Sequence, residues 1–449
     1  MQVSGINYLY SLNNISYSMP FKGQIYLFSD AAKFIENDDL ESLKKMPDLT
    51  IINKDLNSLL HIAAKNKNKK VAEFLLDNNL DVNMKNKKGQ SSFNIACWKS
   101  DESLVDLFLK QNPDVNTQDV LGNTPLHNAI QNTNILGKLL ENKANPYILN
   151  EDGNPVLHEA KVYKNSLEHL LEKKVNPNSI NKNSQSLMHI AAEESNIDLA
   201  ETLLKHKAEI NFVDKYRRTP LFYTQNPEML AFLLNNGANP NIEDKNKKTP
   251  LLLAQNNAVR IILLSYGADP DVLTSQGGTL LHMAVQKNNI DVAKTLLSFN
   301  ASVNKLNKDE KAPLYYAQTN EMRRLLLENG ANPNTELYLH YALRTDNEDF
   351  FEDLLESYAD TNLKDELGRS PIYYCKNVEQ IEKLLKKKAN IDEKDNQENT
   401  PLLYYSAKGE QEIVNYLIEN DADIFEINKF DKNYKDLLED YKKYNSWIK

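Results

Sequence analysis

The stretch from Thr219 to Leu252, TPLFYTQNPEMLAFLLNNGANPNIEDKNKKTPLL, holds one complete period of this chain and the start of the next. It opens on the four-residue turn Thr219-Pro220-Leu221-Phe222 and runs through an apolar segment ending in Leu233-Leu234. It stops at Asn236-Gly237-Ala238-Asn239-Pro240-Asn241 and returns to the turn Thr249-Pro250-Leu251-Leu252. Gly237 can take the left-handed backbone conformation that ends a helix, and Pro240 prevents the helix from resuming. The order implied is helix, turn, helix, stop and an extended hairpin.

Outward from this stretch the same turn recurs along the chain. Its fourth position falls at His61, Asn94, His127, His158, His189, Phe222, Leu252, His282, Tyr315, His340, Tyr373 and Leu403, which makes twelve units. From the second leucine of each pair to the next turn's fourth position the distance is 18 in ten of eleven junctions, for example Leu76 to Asn94 and Leu385 to Leu403. The variation lies between turn and leucine pair: 14 residues intervene after His61, Asn94, His189, His282, His340 and Leu403, but 11 after Phe222, Leu252, Tyr315 and Tyr373. Three residues are just under one 3.6-residue turn, so the shortened units are expected to keep their apolar stripe on roughly the same side. The exceptional junction, Leu327 to His340, is only 13 residues, and five residues are missing from its hairpin. No projecting finger is expected from Ala331 to Leu339.

The turn and the stop are near-literal forms of the Thr-Pro-Leu-His turn and Gly-Ala-(Asp/Asn) stop of ankyrin repeats. The chain resembles that family over residues 30–430, with thirteen units if Asp30 to Lys54 is a degenerate first one. The resemblance implies an all-α fold class: an ankyrin-type helix-turn-helix plus β-hairpin solenoid, a curved right-handed stack. Each unit of such an array buries its apolar face only against its neighbours, so the ends need caps. Tyr434, Leu437, Leu438, Tyr441 and Tyr444 are spaced by three and four and predict a capping helix within residues 431–449. Residues 1–29 match nothing in the repeat. Several stops carry Lys143, Lys174, Lys207, Tyr358 or Lys388 in place of glycine. A left-handed residue other than glycine costs on the order of 1 kcal/mol.

Composition narrows the function classes. With 449 residues the chain exceeds one ordinary hydrophobic core, which suits an array. A net charge of −10 argues against a general nucleic-acid binder, and the acidic hairpin residues Asp119, Glu151 and Asp152 interrupt any basic stripe. Nothing reads as a signal peptide, and no run approaches the roughly 18 apolar residues needed to span a bilayer. Cys97 and Cys375, the two cysteines, stand where other units carry small buried residues and weakly indicate a reducing compartment. A cytoplasmic protein, free or delivered into a host cell, is expected. The many Asn, Lys and Ile residues read as the mark of an AT-rich coding genome.

Candidate chemistry is sparse. Six of eight histidines, His61, His127, His158, His189, His282 and His340, share the fourth turn position. A position repeated in unit after unit does not make one catalytic or metal site, and the resemblance implies a structural tie within and between turns. His169 and His206 lack a Cys or His at zinc-ligand spacing, no phosphate-binding glycine loop or nucleophile motif occurs, and neither cysteine has a histidine placed beside it. No enzyme, cofactor or metal is expected.

What remains is surface for another protein, taken up by a monomer. The resemblance implies binding through hairpin tips and the exposed side of the first helices, on the concave face. Cationic tips stand at Lys85, Lys87 and Lys88, at Lys215, Arg217 and Arg218, and at Lys245, Lys247 and Lys248. They read either as solvated turns or as a steering patch for an acidic partner. The residue after the fourth turn position is Tyr223, Tyr316, Tyr341, Tyr374 and Tyr404 in the C-terminal half, either packing or a tyrosine-lined surface. Trp98 takes a place that is polar in other full-length units, as at Lys65, Glu193, Gln286 and Arg344, and is the first candidate anchor. Two function classes follow: a non-enzymatic binding scaffold, or an effector or toxin-associated immunity protein that uses the repeats for targeting.

Overall fold

The computed structural model describes residues 26–448, with side chains to residue 443; the expected N-terminal segment therefore falls outside the described residues up to position 25. The chain forms two compact units, one running to Met188 and including Asp198–Glu209, the other comprising His189–Ile197 and Ile210 onward. Both are built of helix pairs. Among the described residues no strand forms, and the hairpins show only the isolated bridges Ile52 to Ser58 and Ile180 to Ser186.

The stretch at Asp30 to Lys54 does carry a helix pair, Phe28–Glu36 and the four-residue Leu40–Leu43. Beyond it the second helix of each unit is nearly invariant. It has nine residues in Lys69–Asp77, Pro227–Asn235, Asn320–Glu328, Val378–Lys386 and their counterparts, and eight in Glu102–Leu109. The first helix absorbs all the length variation. Full-length units hold seven or eight residues there, as in Leu59–Lys65, Ser92–Trp98 and Tyr338–Thr345. The units at His127 and His158 keep four-residue helices, Pro125–Asn128 and Val156–Glu159. The four shortest keep only a 3-10 turn: Pro220–Tyr223, Leu251–Leu253, Pro313–Tyr316 and Pro371–Tyr374. Deleting three residues thus dissolves the first helix instead of trimming it, because the second helix must keep its length to fill the core with pairs such as Leu233 and Leu234.

Three columns of Asn and Asp recur along the array; two act within a repeat and the third joins each repeat to the next. One caps the second helices: Asn68 Oδ1 accepts from the Val71 N–H at 3.1 Å, and Asn289 from Val292 at 3.1 Å. A second forms the fingertips, where Asn86 Oδ1 accepts from the N–H groups of Lys88 and Gln90, and Asp365 from those of Leu367 and Arg369. The third is a ladder. Asn83, Asn116, Asn178, Asn211, Asn241, Asp271, Asn304, Asn334, Asn362 and Asp392 each accept the N–H of Asp114, Asn145, Glu209, Asn239, Asp269, Ser302, Asn332, Asp360, Asn390 and Asp423 respectively, at 2.7–3.0 Å. The asparagines of these columns are therefore structural, whatever genome encodes them.

The short junction keeps the ladder and loses the finger. Asn334 still takes the Asp360 N–H at 2.8 Å. Three residues further on, where other units place the tip Asn or Asp, stands Leu337 with φ 53°, directly preceding the helix Tyr338–Thr345. The five missing residues are the tip turn itself. A fifteen-residue helix, Tyr434–Ile448, follows the last repeat described above and packs on Pro401–Lys408. Gly409, at φ 74°, ends that first helix, and any side chain there would run into Tyr441.

The stops that lack glycine adopt the same left-handed geometry, with φ 65° at Lys143, 66° at Lys174, 65° at Lys207 and 68° at Lys388. Replacing Lys388 by Gly removes the Cβ strain but adds chain entropy. A net gain of about 0.5 kcal/mol is expected, read as a small rise in the thermal midpoint.

Candidate functional site

The shared histidine is an inter-repeat clamp. In the unit at His61 the Ser58 N–H and Oγ lie 3.1 and 2.7 Å from Nδ1, and Nε2 lies 3.0 Å from the Gln90 carbonyl at the base of the next finger. His127 and His282 repeat this with Thr124 and Thr279 at Nδ1 and with the carbonyls of Asn154 and Lys311 at Nε2. A backbone N–H can only donate, so Nδ1 is bare and Nε2 carries the proton that it donates to the carbonyl. His158, His189 and His340 reach Gln185, Arg218 and Arg369 in the same manner, at 2.9–3.1 Å. Burial pushes the imidazolium pKa of His61, His127, His282 and His340 below its ordinary value.

Units without histidine show what it supplies. Asn94 imitates it, accepting from Ser91 N–H and Oγ through Oδ1 and donating from Nδ2 to the Thr117 carbonyl. The Tyr373 hydroxyl reaches the carbonyls of Glu393 and Asn399, the latter at the base of the next finger. With Phe222, Leu252 and Tyr373 at the fourth position, the buried hydroxyls of Thr219, Thr249 and Ser370 have no partner. The unit preceding the absent finger has Tyr315 there, 48% exposed.

Both cysteines are buried, and burial raises their thiol pKa well above the usual range, so neither is a thiolate nucleophile at neutral pH. Among the described residues no three His, Cys, Asp or Glu side chains gather into a metal cluster, and no helix is long and apolar enough to cross a membrane.

Surface candidates fall in both units. In the first, Trp98 ends the seven-residue helix Ser92–Trp98, while the neighbouring first helix stops after four residues at Asn128. That step leaves Trp98 57% exposed, with the Lys99 ammonium 4.3 Å from its ring. It also opens a cleft of about 560 Å³ lined by Trp98, Lys99, His127, Asn128 and Gln131 among others. The finger leading into this unit exposes Lys85, Lys87 and Lys88. Lys85 Nζ reaches the Gln118 carbonyl at 3.3 Å, and the tips are zipped by single backbone bonds, Lys87 N–H to Asp55 O and Val120 N–H to Lys88 O.

In the second unit Arg217 is exposed at φ 62° on its fingertip, whereas Arg218 is half-buried and paired with Asp244 at 3.4 Å. Most of the tyrosine column is used in packing. Tyr223 hydroxyl donates to Asp214 at 2.5 Å with its ring edge-on to His189. The Tyr316 hydroxyl accepts from Asn307 Nδ2 at 2.8 Å and the Tyr374 hydroxyl donates to Asp365, with their rings edge-on to His282 and His340. Tyr404 packs between Tyr373, Tyr405 and the Arg369 guanidinium. Tyr341 remains 48% exposed, and Arg344 is exposed beside Tyr374, 5.4 Å from its ring. Sequence spacing placed six histidines at one turn position and singled out Trp98, and the ankyrin resemblance implied the tie that the histidines make. Both missed the cleft, which depends on how far the adjacent helix runs; the signal was the reduced spacing after His127.

Comparison with known proteins adds the following. A family model described as "Ankyrin repeats (3 copies)" matches in overlapping placements over residues 28–119, 93–180, 157–244, 222–307, 251–337, 297–365 and 339–428. Neurogenic locus notch homolog protein 1 of Cricetulus griseus is 35% identical over 140 residues, 28% of this chain and 6% of that protein. An ankyrin repeat protein of Fowlpox virus (strain NVSL) is 30% identical over 161 residues, 32% of this chain and 47% of that protein. The chain thus spans less than half the length of these curated relatives. Among solved structures, the ankyrin repeat domain of Bcl-3 aligns with TM-score 0.42 and 23% identity, covering 47% of this chain and 99% of that one. The human ASB11 ankyrin repeat domain aligns with TM-score 0.39 and 26% identity, covering 48% and 100%.

Proposed function

The chain belongs to the ankyrin repeat family, and from that premise we propose that it is a non-enzymatic scaffold that seats a partner protein at the Trp98 cleft. Ankyrin repeats bind other proteins. The observation that supports this placement is a tryptophan 57% exposed at the lip of a cleft that the shortened next helix opens. Leaving so large an apolar side chain in water has no role in stacking the repeats, whereas tryptophan is favoured as a buried anchor in interfaces. Lys85, Lys87 and Lys88 on the preceding finger supply steering charge toward an acidic surface. Arg217, Tyr341 and Arg344 are secondary candidates on the second unit, with Arg218, Tyr223, Tyr316, Tyr374 and Tyr404 as their support.

A cytoplasmic setting and a monomeric chain are part of this proposal; the two free buried thiols support the reducing setting only. Delivery into a host cell, or neutralisation of a toxin, would use the same surface and is distinguished by which partner the purified chain captures. With that partner in hand, Trp98→Ala is expected to weaken binding about 30-fold, the ~2 kcal/mol typical of an anchor, at unchanged melting temperature. Normal affinity with a lowered melting temperature would make Trp98 a packing residue and move the site to Tyr341 and Arg344.

A further inference from the structure

Neighbouring fingers are joined tip to tip by one backbone hydrogen bond in a constant register. The residue after the tip Asn or Asp donates its N–H to the carbonyl two residues after the preceding tip. Lys87 to Asp55, Val120 to Lys88, Lys245 to Tyr216, Asn396 to Leu367 and Lys429 to Gln397 are such bonds, at 2.8–3.2 Å.

The absent finger interrupts this row inside the second unit. In the same register the fingers beside it would offer it the Asp309 carbonyl, two residues after the tip Asn307, and the Glu366 N–H, one residue after the tip Asp365. Neither group has a backbone partner among the described residues, and both residues are exposed. The ladder bonds of Asn304 to Asn332 and of Asn334 to Asp360 persist at 2.8 Å. The repeats therefore keep their stacking, and the stack does not draw the two flanking fingers together.

The floor of the gap carries the same signal. A side chain at the fourth turn position binds the base of the next finger: His282 reaches the Lys311 carbonyl at 3.0 Å, and the Tyr373 hydroxyl reaches that of Asn399, four residues after the tip Asp395. Tyr315 holds this position just before the gap and is 48% exposed. Its ring meets the Tyr316 ring and the Lys311 ammonium, at 5.1 and 4.8 Å, but no finger base follows to accept from its hydroxyl.

We propose that this gap receives a hairpin tip from a partner protein, an Asx turn of the form Asn/Asp-x-x-Gly-x. Such a turn has the five residues that this junction lacks. Its second residue would donate to the Asp309 carbonyl, the carbonyl of its third would accept from the Glu366 N–H, and that of its fifth from the Tyr315 hydroxyl. Glycine suits the fourth place because the fingers hold it left-handed at Gly89, Gly122 and Gly368, with φ 68–74°. Main-chain pairing at an open edge is an established mode of recognition. The chain's own fingers already commit base carbonyls to clamps, as Gln90 and Lys311 do to His61 and His282, so a partner's hairpin fits better than a second copy's. The site lies in a different unit from Trp98 and does not depend on that placement.

Fluorescence anisotropy on the full chain tests it, with a labelled, disulfide-closed hairpin peptide carrying Asn-Lys-Lys-Gly-Gln. This is the turn of residues 86–90, which is joined on both sides in its own row. Saturable binding is expected, with slowed hydrogen exchange at the Glu366 amide. N-methylation of the turn's second residue should weaken binding about fivefold, the loss of one hydrogen bond. Tyr315→Phe should do the same at unchanged melting temperature. Inserting Asn-Lys-Lys-Gly-Gln between Glu336 and Leu337 restores the spacing of 18 and should abolish binding by filling the gap. A peptide that fails to bind, or that binds equally well when methylated and to both altered chains, overturns the proposal. Self-association of the parent chain that the insertion abolishes also overturns it, in favour of a second copy's finger.

Discussion

The His282→Ala protein is expected to unfold with about 2–3 kcal/mol less stability than the parent. The side chain holds three groups at once: the Thr279 N–H at 3.1 Å, the Thr279 hydroxyl at 2.9 Å and the Lys311 carbonyl at 3.0 Å, the last belonging to the next unit. Truncation leaves the Thr279 N–H and the Lys311 carbonyl in a buried turn without this partner, at a cost of about 1–3 kcal/mol for a buried unsatisfied group. Because array stability combines unit and interface terms, hydrogen exchange should quicken first at the amides of Thr279 and Ala312. His282→Asn should recover most of the loss, since Asn94 makes the same kinds of bond in its own unit. If His282→Ala melts like the parent but loses its partner, histidine serves recognition and the clamp is misassigned.

Acidification from pH 7 to pH 5 should destabilise the chain steeply. His61, His127 and His282 are held neutral, because protonating Nδ1 would set a proton against a backbone N–H, and burial pulls their pKa below 6.5, as it does for His340. A depressed histidine pKa means the unfolded chain binds protons first as pH falls. The stabilisation is therefore complete above about pH 6.5 and is lost progressively below it. Four such sites give a limiting slope of about 5 kcal/mol per pH unit if all titrate in the unfolded chain alone. The carboxylates titrate near pH 4, so the window between pH 6.5 and 5 isolates the histidines. Urea midpoints across this window should fall for the parent. His61→Asn, His127→Asn and His282→Asn combined should flatten the curve; an unchanged slope in that triple variant would reject the clamp as its origin.

Much of this was readable from residue spacing alone. The constant 18 between leucine pair and turn fixed the stacked segment, and the 13-residue junction after Leu327 foretold a missing finger, because the fingertip is a local Asx turn that five residues suffice to build. The return of histidine to one position in six of twelve repeats argued against a single catalytic or metal site before its bonds were visible. Such features are encoded by short-range chain geometry, which sequence distance measures directly.

Other features depended on neighbours. Whether Trp98 is exposed is decided by where the next unit's first helix ends, at Asn128. Three missing residues dissolved the first helix and spared the second because only the second must keep its length against the core. Sequence left the tyrosines after the turn as either packing or surface, and the structure shows the fingertip carboxylates and adjacent histidine rings holding Tyr223 and Tyr374. That one oxygen of Asp353 lacks a donor has no signature in the chain at all, since Arg324, 29 residues away, takes the first oxygen and burial denies water to the second. Sequence determined the repeat, its period and its one gap through local turns and helix ends. Only the tertiary structure decided which side chains remain uncovered, because exposure is set by the neighbouring unit, one repeat away along the chain.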